Sequence, residues 1–207
     1  LLAPNKLTRN VYENDYMVRG IMHGQIKEQG YPRNSIFFDQ NKRQSIKKRY
    51  GLEGKISIFY MPTWREDKRN ILEIIDFDRL NQLCIKNNNL FLFRLHPNTE
   101  INLDMLVSYS NLRIIDSSCD IYPILPFTDV LITDYSSIYY DYMLIPNKQI
   151  LLFPFDEEEY CTFNRDLAFD YKIYTPGIRI YSFEALLEIV ESKKNLTKKD
   201  KEVILMK

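Results

Sequence analysis

Thr128-Asp129-Val130-Leu131-Ile132-Thr133-Asp134-Tyr135-Ser136-Ser137 is the stretch that decides how this chain is read. Val130 to Thr133 is a short, continuous apolar run without polar alternation, which marks a strand covered on both faces. Asp134 and two serines follow at once, small polar side chains of the kind that open a helix. A buried strand running straight into a helix start is the elementary unit of a parallel sheet.

The unit repeats along the chain. Ile56 to Tyr60, Leu90 to Leu95, Leu112 to Ile115 and Gln149 to Phe153 are further short apolar runs. Helical patterns lie around them: Thr8 to Met17 with Thr8 as its cap, Lys42 to Tyr50 stopping at Gly51, Phe77 to Lys86, Ser136 to Leu144 and Phe183 to Val190. In the third of these, Phe77, Leu80, Leu83 and Cys84 share one face. The expected fold class is α/β: a Rossmann-like parallel sheet with helices on both faces, over residues 1–192. Residues 193–207 are charge-rich and are expected to form a solvated C-terminal helix or tail.

Bulk composition narrows the function. The 207 residues carry 28 basic and 28 acidic side chains, so no net positive charge argues for nucleic acid. Hydrophobic residues make up 45% and charged residues 27%, ordinary for a water-exposed globular chain, and no run of eighteen apolar residues suggests a membrane span. Cys84, Cys119 and Cys161 lack C-x-x-C spacing and the chain has two histidines, so neither a disulfide framework nor a zinc site is expected. That cysteine pattern fits a reduced, cytosolic setting. The six glycines form neither a G-x-G-x-x-G nor a P-loop motif, which removes the main support for a dehydrogenase or a P-loop NTPase. No cofactor and no metal is expected. Leu1 is not a methionine, and Leu1-Leu2-Ala3-Pro4 reads as a strand end leading into a loop. An upstream portion is therefore expected, with proteolytic maturation as the alternative.

In open parallel sheets ligands collect beyond the carboxyl ends of the strands. Four strand ends here deliver polar groups to that rim. Thr133-Asp134-Tyr135-Ser136-Ser137 offers first-turn amides, a helix dipole and two hydroxyls to an anion, or else is plain helix capping. Arg94-Leu95-His96-Pro97 offers forked guanidinium donors and an imidazole that can donate to, or protonate, a phosphate, or else His96 merely caps the strand end. Thr63-Trp64-Arg65 offers a hydroxyl, a flat ring and a cation, or else Trp64 plugs the rim and Arg65 pairs with Glu66 or Asp67. Of the acidic run Asp156 to Glu159, Asp156 and Glu157 read as a solvated helix start, while Glu158 or Glu159 can accept from sugar or polyol hydroxyls. Gly30-Tyr31-Pro32-Arg33-Asn34 reads as a turn after a short strand, with Arg33 or Asn34 able to face the cleft.

In order, Gly30-Tyr31-Pro32-Arg33-Asn34, Tyr60-Met61-Pro62-Thr63-Trp64-Arg65, Arg94-Leu95-His96-Pro97, Thr128 to Ser137, Asp141-Tyr142 and Pro154-Phe155-Asp156 resemble the CDP-glycerol glycerophosphotransferase family, which includes teichoic acid polymerases and primases. The resemblance runs from about Thr8 to Val190. It implies the C-terminal domain of a glycosyltransferase-B fold, with an N-terminal partner domain facing it. It also implies transfer of glycerol phosphate or ribitol phosphate from CDP-glycerol or CDP-ribitol to a hydroxyl of a teichoic-acid-like or capsular polymer, or of a lipid-linked acceptor, with release of CMP. Such an enzyme would be cytoplasmic and peripheral at the inner face of the membrane. By likeness Arg94, His96, Ser136 and Ser137 belong to the donor site, with Thr63 and Arg65 as further transfers; Arg94 and His96 are assigned the catalytic roles, and Asp134 is added as a substrate contact. Glu158 and Glu159 are added as polyol contacts. The family's Trp-His-Gly-Thr segment, associated with the catalytic base, is not matched by Met22-His23-Gly24-Gln25, so His23 is given no role and the base is expected outside this chain. The alternatives are a UDP-sugar glycosyltransferase or epimerase of the same architecture, and a non-catalytic module that binds nucleotide or polymer.

Overall fold

A computed structural model describes residues 1–16, 24–39, 43–66, 72–99, 104–163, 167 and 170–192. The chain divides into two compact units, residues 1–41 and 42–207.

In the first unit, β1 (Leu2–Ala3) pairs in parallel with β2 (Lys27–Glu28), and α1 (Lys6–Asn14) lies between them in sequence. The cap of α1 is Asn5, not Thr8: the helix starts at Lys6, and the Asn5 side chain accepts from the Thr8 amide at 2.9 Å. Met17, the expected end of that helix, lies outside the described residues. Pro32 opens a 3₁₀ helix, Pro32–Phe38, where its missing N–H costs nothing. The guanidinium of Arg33 sits 4.3 Å from the Tyr31 ring centre, and Asn34 is buried.

The second unit is built on α2 (Arg43–Tyr50), β3 (Ile56–Met61), α3 (Phe77–Asn87), β4 (Asn89–Phe93), β5 (Leu112–Ile114), β6 (Val130–Thr133), α4 (Ile138–Met143), β7 (Gln149–Leu152), α5 (Glu157–Phe163), α6 (Tyr171–Tyr174), β8 (Ile178–Arg179) and α7 (Phe183–Glu191). Lys42, the expected first residue of α2, is outside the described residues, as is the whole of 193–207. Gly51 ends α2 with φ +67°, the left-handed turn that glycine adopts without steric cost.

The six strands of this unit form one all-parallel sheet in the order β5-β4-β3-β6-β7-β8. The chain winds outward from β3 to β5, returns to β6 beside β3, and winds outward the other way. That is the doubly wound arrangement of Rossmann-like domains. Every residue of β4 and β6 is buried, which is why these strands read as unbroken apolar runs. On one face Ile58, Tyr60, Phe91, Phe93, Val130, Ile132, Leu151 and Phe153 pack with Leu80 and Cys84 of α3 and Leu186, Leu187 and Val190 of α7. The alternate residues point the other way, where α4 packs on β6 and β7. Among the described residues no helix is long and apolar enough to cross a membrane.

Candidate functional site

The strand order reverses between β3 and β6, and the rim beyond their carboxyl ends is where an open sheet leaves a crevice. The two ends are stitched together: Thr133 Oγ1 donates to the Met61 carbonyl at 2.7 Å. One step further out, the Thr63 amide and hydroxyl donate to Asp134 Oδ1 at 2.8 and 2.6 Å.

Arg65 completes this lock. Its Nη2 donates to Asp134 Oδ2 and to Asp156 Oδ1, both at 2.9 Å, its Nε to Asp156 Oδ2 at 2.8 Å, and its Nη1 to the Thr63 carbonyl at 2.6 Å. Neither Arg65 nor Asp134 exposes any side-chain surface. The Tyr135 ring stacks on Tyr160 with centres 3.9 Å apart, the Tyr135 hydroxyl donates to Asp156 Oδ1 at 3.2 Å, and the Tyr171 hydroxyl donates to the Asp134 carbonyl at 3.1 Å. Burial opposes charge on Arg65, but Asp134 and Asp156 outweigh it and hold the guanidinium above its ordinary value. Burial also pushes the Asp134 carboxyl upward, against the pull of Arg65 and the Thr63 donors.

Three residues expected to meet substrate are thus brought together, but facing one another. Thr63, Arg65 and Asp134 bind the loops after β3, β6 and β7 into one piece. Among the described residues the acidic partners of Arg65 lie 69 and 91 residues away, and Asp67, one of the two neighbours expected to pair with it, is outside the described residues. Asp156 is likewise not solvated; it is 3% exposed, because Arg65 supplies the charge that permits its burial.

Ser136 and Ser137 stand on the open side of that lock. Ser137 is exposed, directly precedes α4, and makes no side-chain cap bond. Ser136 is half-buried, with its Oγ 3.4 Å from the Ile138 amide that donates to it. The Ser136 and Ser137 amides meet no acceptor among the described residues. Two amides and two hydroxyls are left for an outside acceptor.

On the other side of β3, the end of β4 carries Arg94 and His96. Arg94 does not present an open fork. Its Nη1 donates to the Asp116 carbonyl and its Nη2 to that of Ser117, each at 2.5 Å, with Cys119 O at 3.3 Å, so it holds the turn that follows β5. His96 is exposed, its ring stacked on Trp64 with centres 5.9 Å apart and planes at 29°. Its Nδ1 accepts from the Asn98 amide at 3.2 Å, an arrangement in which the imidazole N–H is the one on Nε2. β4 and β6 both flank β3, so the strand ends that lead to His96 and to the Ser136 turn are roughly 10 Å apart on one rim.

Glu158 and Glu159 lie in the first turn of α5 and are exposed, where acids suit the helix dipole. His23 is outside the described residues. A surface hollow of about 300 Å³ along the outer faces of α3 and α7, lined by Arg79, Gln82, Leu83, Lys86, Leu187 and Glu191, contains none of the rim residues. Sequence reading missed Asp156 as the second partner of Arg65 and the carbonyl cluster that occupies Arg94. Both contacts join segments remote in the chain, and neither leaves a local pattern.

A sequence model of the CDP-Glycerol:Poly(glycerophosphate) glycerophosphotransferase family matches residues 1–206. The chain is 30% identical over 184 residues to a teichoic acid ribitol-phosphate polymerase, TarL, of Staphylococcus aureus (strain NCTC 8325 / PS 47), which covers 84% of this chain and 32% of that protein. It is 27% identical over 206 residues to a teichoic acid poly(glycerol phosphate) polymerase of Bacillus spizizenii (strain ATCC 23059 / NRRL B-14472 / W23), covering 94% of this chain and 50% of that one. A solved structure of the wall teichoic acid polymerase TagF superposes with a TM-score of 0.79 at 25% identity, covering 99% of this chain and 51% of the other. The chain therefore spans about half or less of the length of these relatives.

Proposed function

The chain belongs to the CDP-glycerol:poly(glycerophosphate) glycerophosphotransferase family, and from that footing we propose that it forms the donor-binding half of a transferase that moves glycerol phosphate or ribitol phosphate from its CDP derivative to a hydroxyl of a growing teichoic-acid-like polymer. The observation that carries this reading is the two-sided rim. Ser136 and Ser137 offer free amides and hydroxyls on one flank of β3, and His96 offers an N–H on the other. A diphosphate lying across the end of β3 meets donors at both ends.

In the reaction, the acceptor oxygen forms a bond to the phosphorus that carries the polyol. The bond from that phosphorus to the CMP oxygen breaks, and CMP leaves with the electron pair. Charge grows on the bridging and equatorial oxygens, and fixed donors stabilise it. His96 donates to the diphosphate, while the serine turn binds its other end. Thr63, Arg65, Asp134 and Asp156 keep the turn in place, and Arg94 does the same for the loop beside His96. No residue of this chain is assigned as the base that takes the acceptor proton. Glu158 and Glu159 are the candidates for polyol contact. The enzyme works in the cytoplasm, at the inner membrane face, on a polymer or lipid-linked acceptor.

Calorimetric titration with CDP-glycerol, CDP-ribitol and a UDP-sugar tests the reading. Binding of a CDP-polyol in preference to the UDP-sugar is expected. Binding of the UDP-sugar with none of either CDP-polyol overturns it in favour of a sugar-nucleotide enzyme.

A further inference from the structure

His96 is held from three directions. The His96 carbonyl accepts from the Thr99 amide at 2.9 Å, closing a β-turn in which Pro97 takes the second position that its fixed φ suits. The Asn98 amide donates to Nδ1 at 3.2 Å. The half-buried Trp64 lies against the imidazole face, within the range of offset aromatic stacking. Trp64 comes from the β3 loop and His96 from the β4 loop, so the stack spans two strand ends. Trp64 is also adjacent to Thr63, which the Asp134 carboxylate grips through both amide and hydroxyl. The imidazole is thereby referenced, through one residue, to the same buried ion cluster that fixes the serine turn.

We propose that Trp64 is a positioning residue: together with the Asn98 amide it holds His96 in one orientation and in its Nε2–H form, so that the ring presents a hydrogen-bond donor to the diphosphate. This rests on the donor-site reading above and deepens it. The Asn98 donor sets the tautomer, because an Nδ1 that accepts cannot carry the ring proton in a neutral imidazole. Trp64 restricts the direction further, because the Asn98 bond alone leaves an exposed ring room to swing about χ2. Trp64 needs no contact of its own with the ligand.

The test is a double-mutant cycle on CDP-glycerol affinity, read beside nitrogen-15 spectra of the histidine rings. The chain has two histidines, so His96→Gln assigns the signals by subtraction. In the unsubstituted chain, His96 Nδ1 is expected to resonate as an acceptor nitrogen and Nε2 as a protonated one. Trp64→Leu is expected to weaken CDP-glycerol binding about tenfold, the size of one hydrogen bond to a charged group, and His96→Gln by a similar factor. The double substitution is expected to be no weaker than His96→Gln alone. Trp64→Phe, which keeps an aromatic face, is expected to restore most of the affinity and guards against a folding defect in the leucine variant. Losses that multiply in the double variant, or a Trp64→Leu chain that binds like the unsubstituted one, overturn the proposal. If no variant and no unsubstituted chain binds CDP-glycerol, the donor-site reading falls. The ring spectra then decide the positioning role alone: a His96 ring whose protonated nitrogen is Nδ1, or whose shifts are unmoved by Trp64→Leu, overturns it.

Discussion

Arg65 Nη2 lies 2.9 Å from Asp134 Oδ2 with neither side chain reaching solvent, and the same guanidinium grips Asp156 from the next strand along. Among the described residues the cation is the positive member of a buried set with two carboxylates. Removing it takes a charged donor from Asp134 and a two-pronged one from Asp156. Arg65→Met is expected to cost about 3–5 kcal/mol of unfolding free energy, measured by urea denaturation. A loss below about 1 kcal/mol would mean that the cluster is hydrated or neutral in solution and does not hold the three loops together.

The serine turn carries little of the fold. Ser137 is exposed and makes no cap bond, and the Ser136 side-chain bond is long at 3.4 Å. Ser136→Ala with Ser137→Ala is expected to leave the thermal midpoint within a few degrees while weakening CDP affinity about tenfold or more. Unchanged affinity in calorimetry would remove the turn from the donor site.

Asp116 offers a pH handle on the loop that Arg94 holds. The Ser118 hydroxyl and amide donate to its carboxylate at 2.6 and 2.7 Å, and with Arg94 nearby they keep it below its usual value of 3.8. A depressed carboxyl contributes stability that is present above pH 3.8 and is lost as pH falls through the lower folded value. Acidification below that point is therefore expected to loosen the turn, read as a lower protection factor of the Ser118 amide relative to its intrinsic exchange rate at each pH. Asp116→Asn is expected to flatten this acid dependence. An identical profile in the variant would assign the change to other carboxylates.

The sheet was legible in the sequence because its strands are buried on both faces. Val130 to Thr133 matches the observed strand residue for residue, and the other four core strands differ only at their ends. Two-residue strands such as β8 and the four-residue α6 are too brief to carry a period, and they went unread. The site was legible as a set of strand ends but not as a division of labour. Nothing local tells that Arg65 turns inward to Asp134 and Asp156 while Ser137 stays open, since that choice depends on which loops the sheet order brings side by side. Arg94 shows the same limit: its position at a strand end is visible, but the three carbonyls it meets belong to residues 22 to 25 positions later.

The strand order has one further consequence. The outermost members of the parallel sheet are β5 with three residues and β8 with two, while the longest strand, β3, lies in the interior. Unpaired peptide groups along a sheet border are templates for a foreign strand, and very short border strands offer few of them. The long apolar strands of this sheet are thus shielded by neighbours on both sides, so their recruitment into cross-β stacking requires opening the sheet.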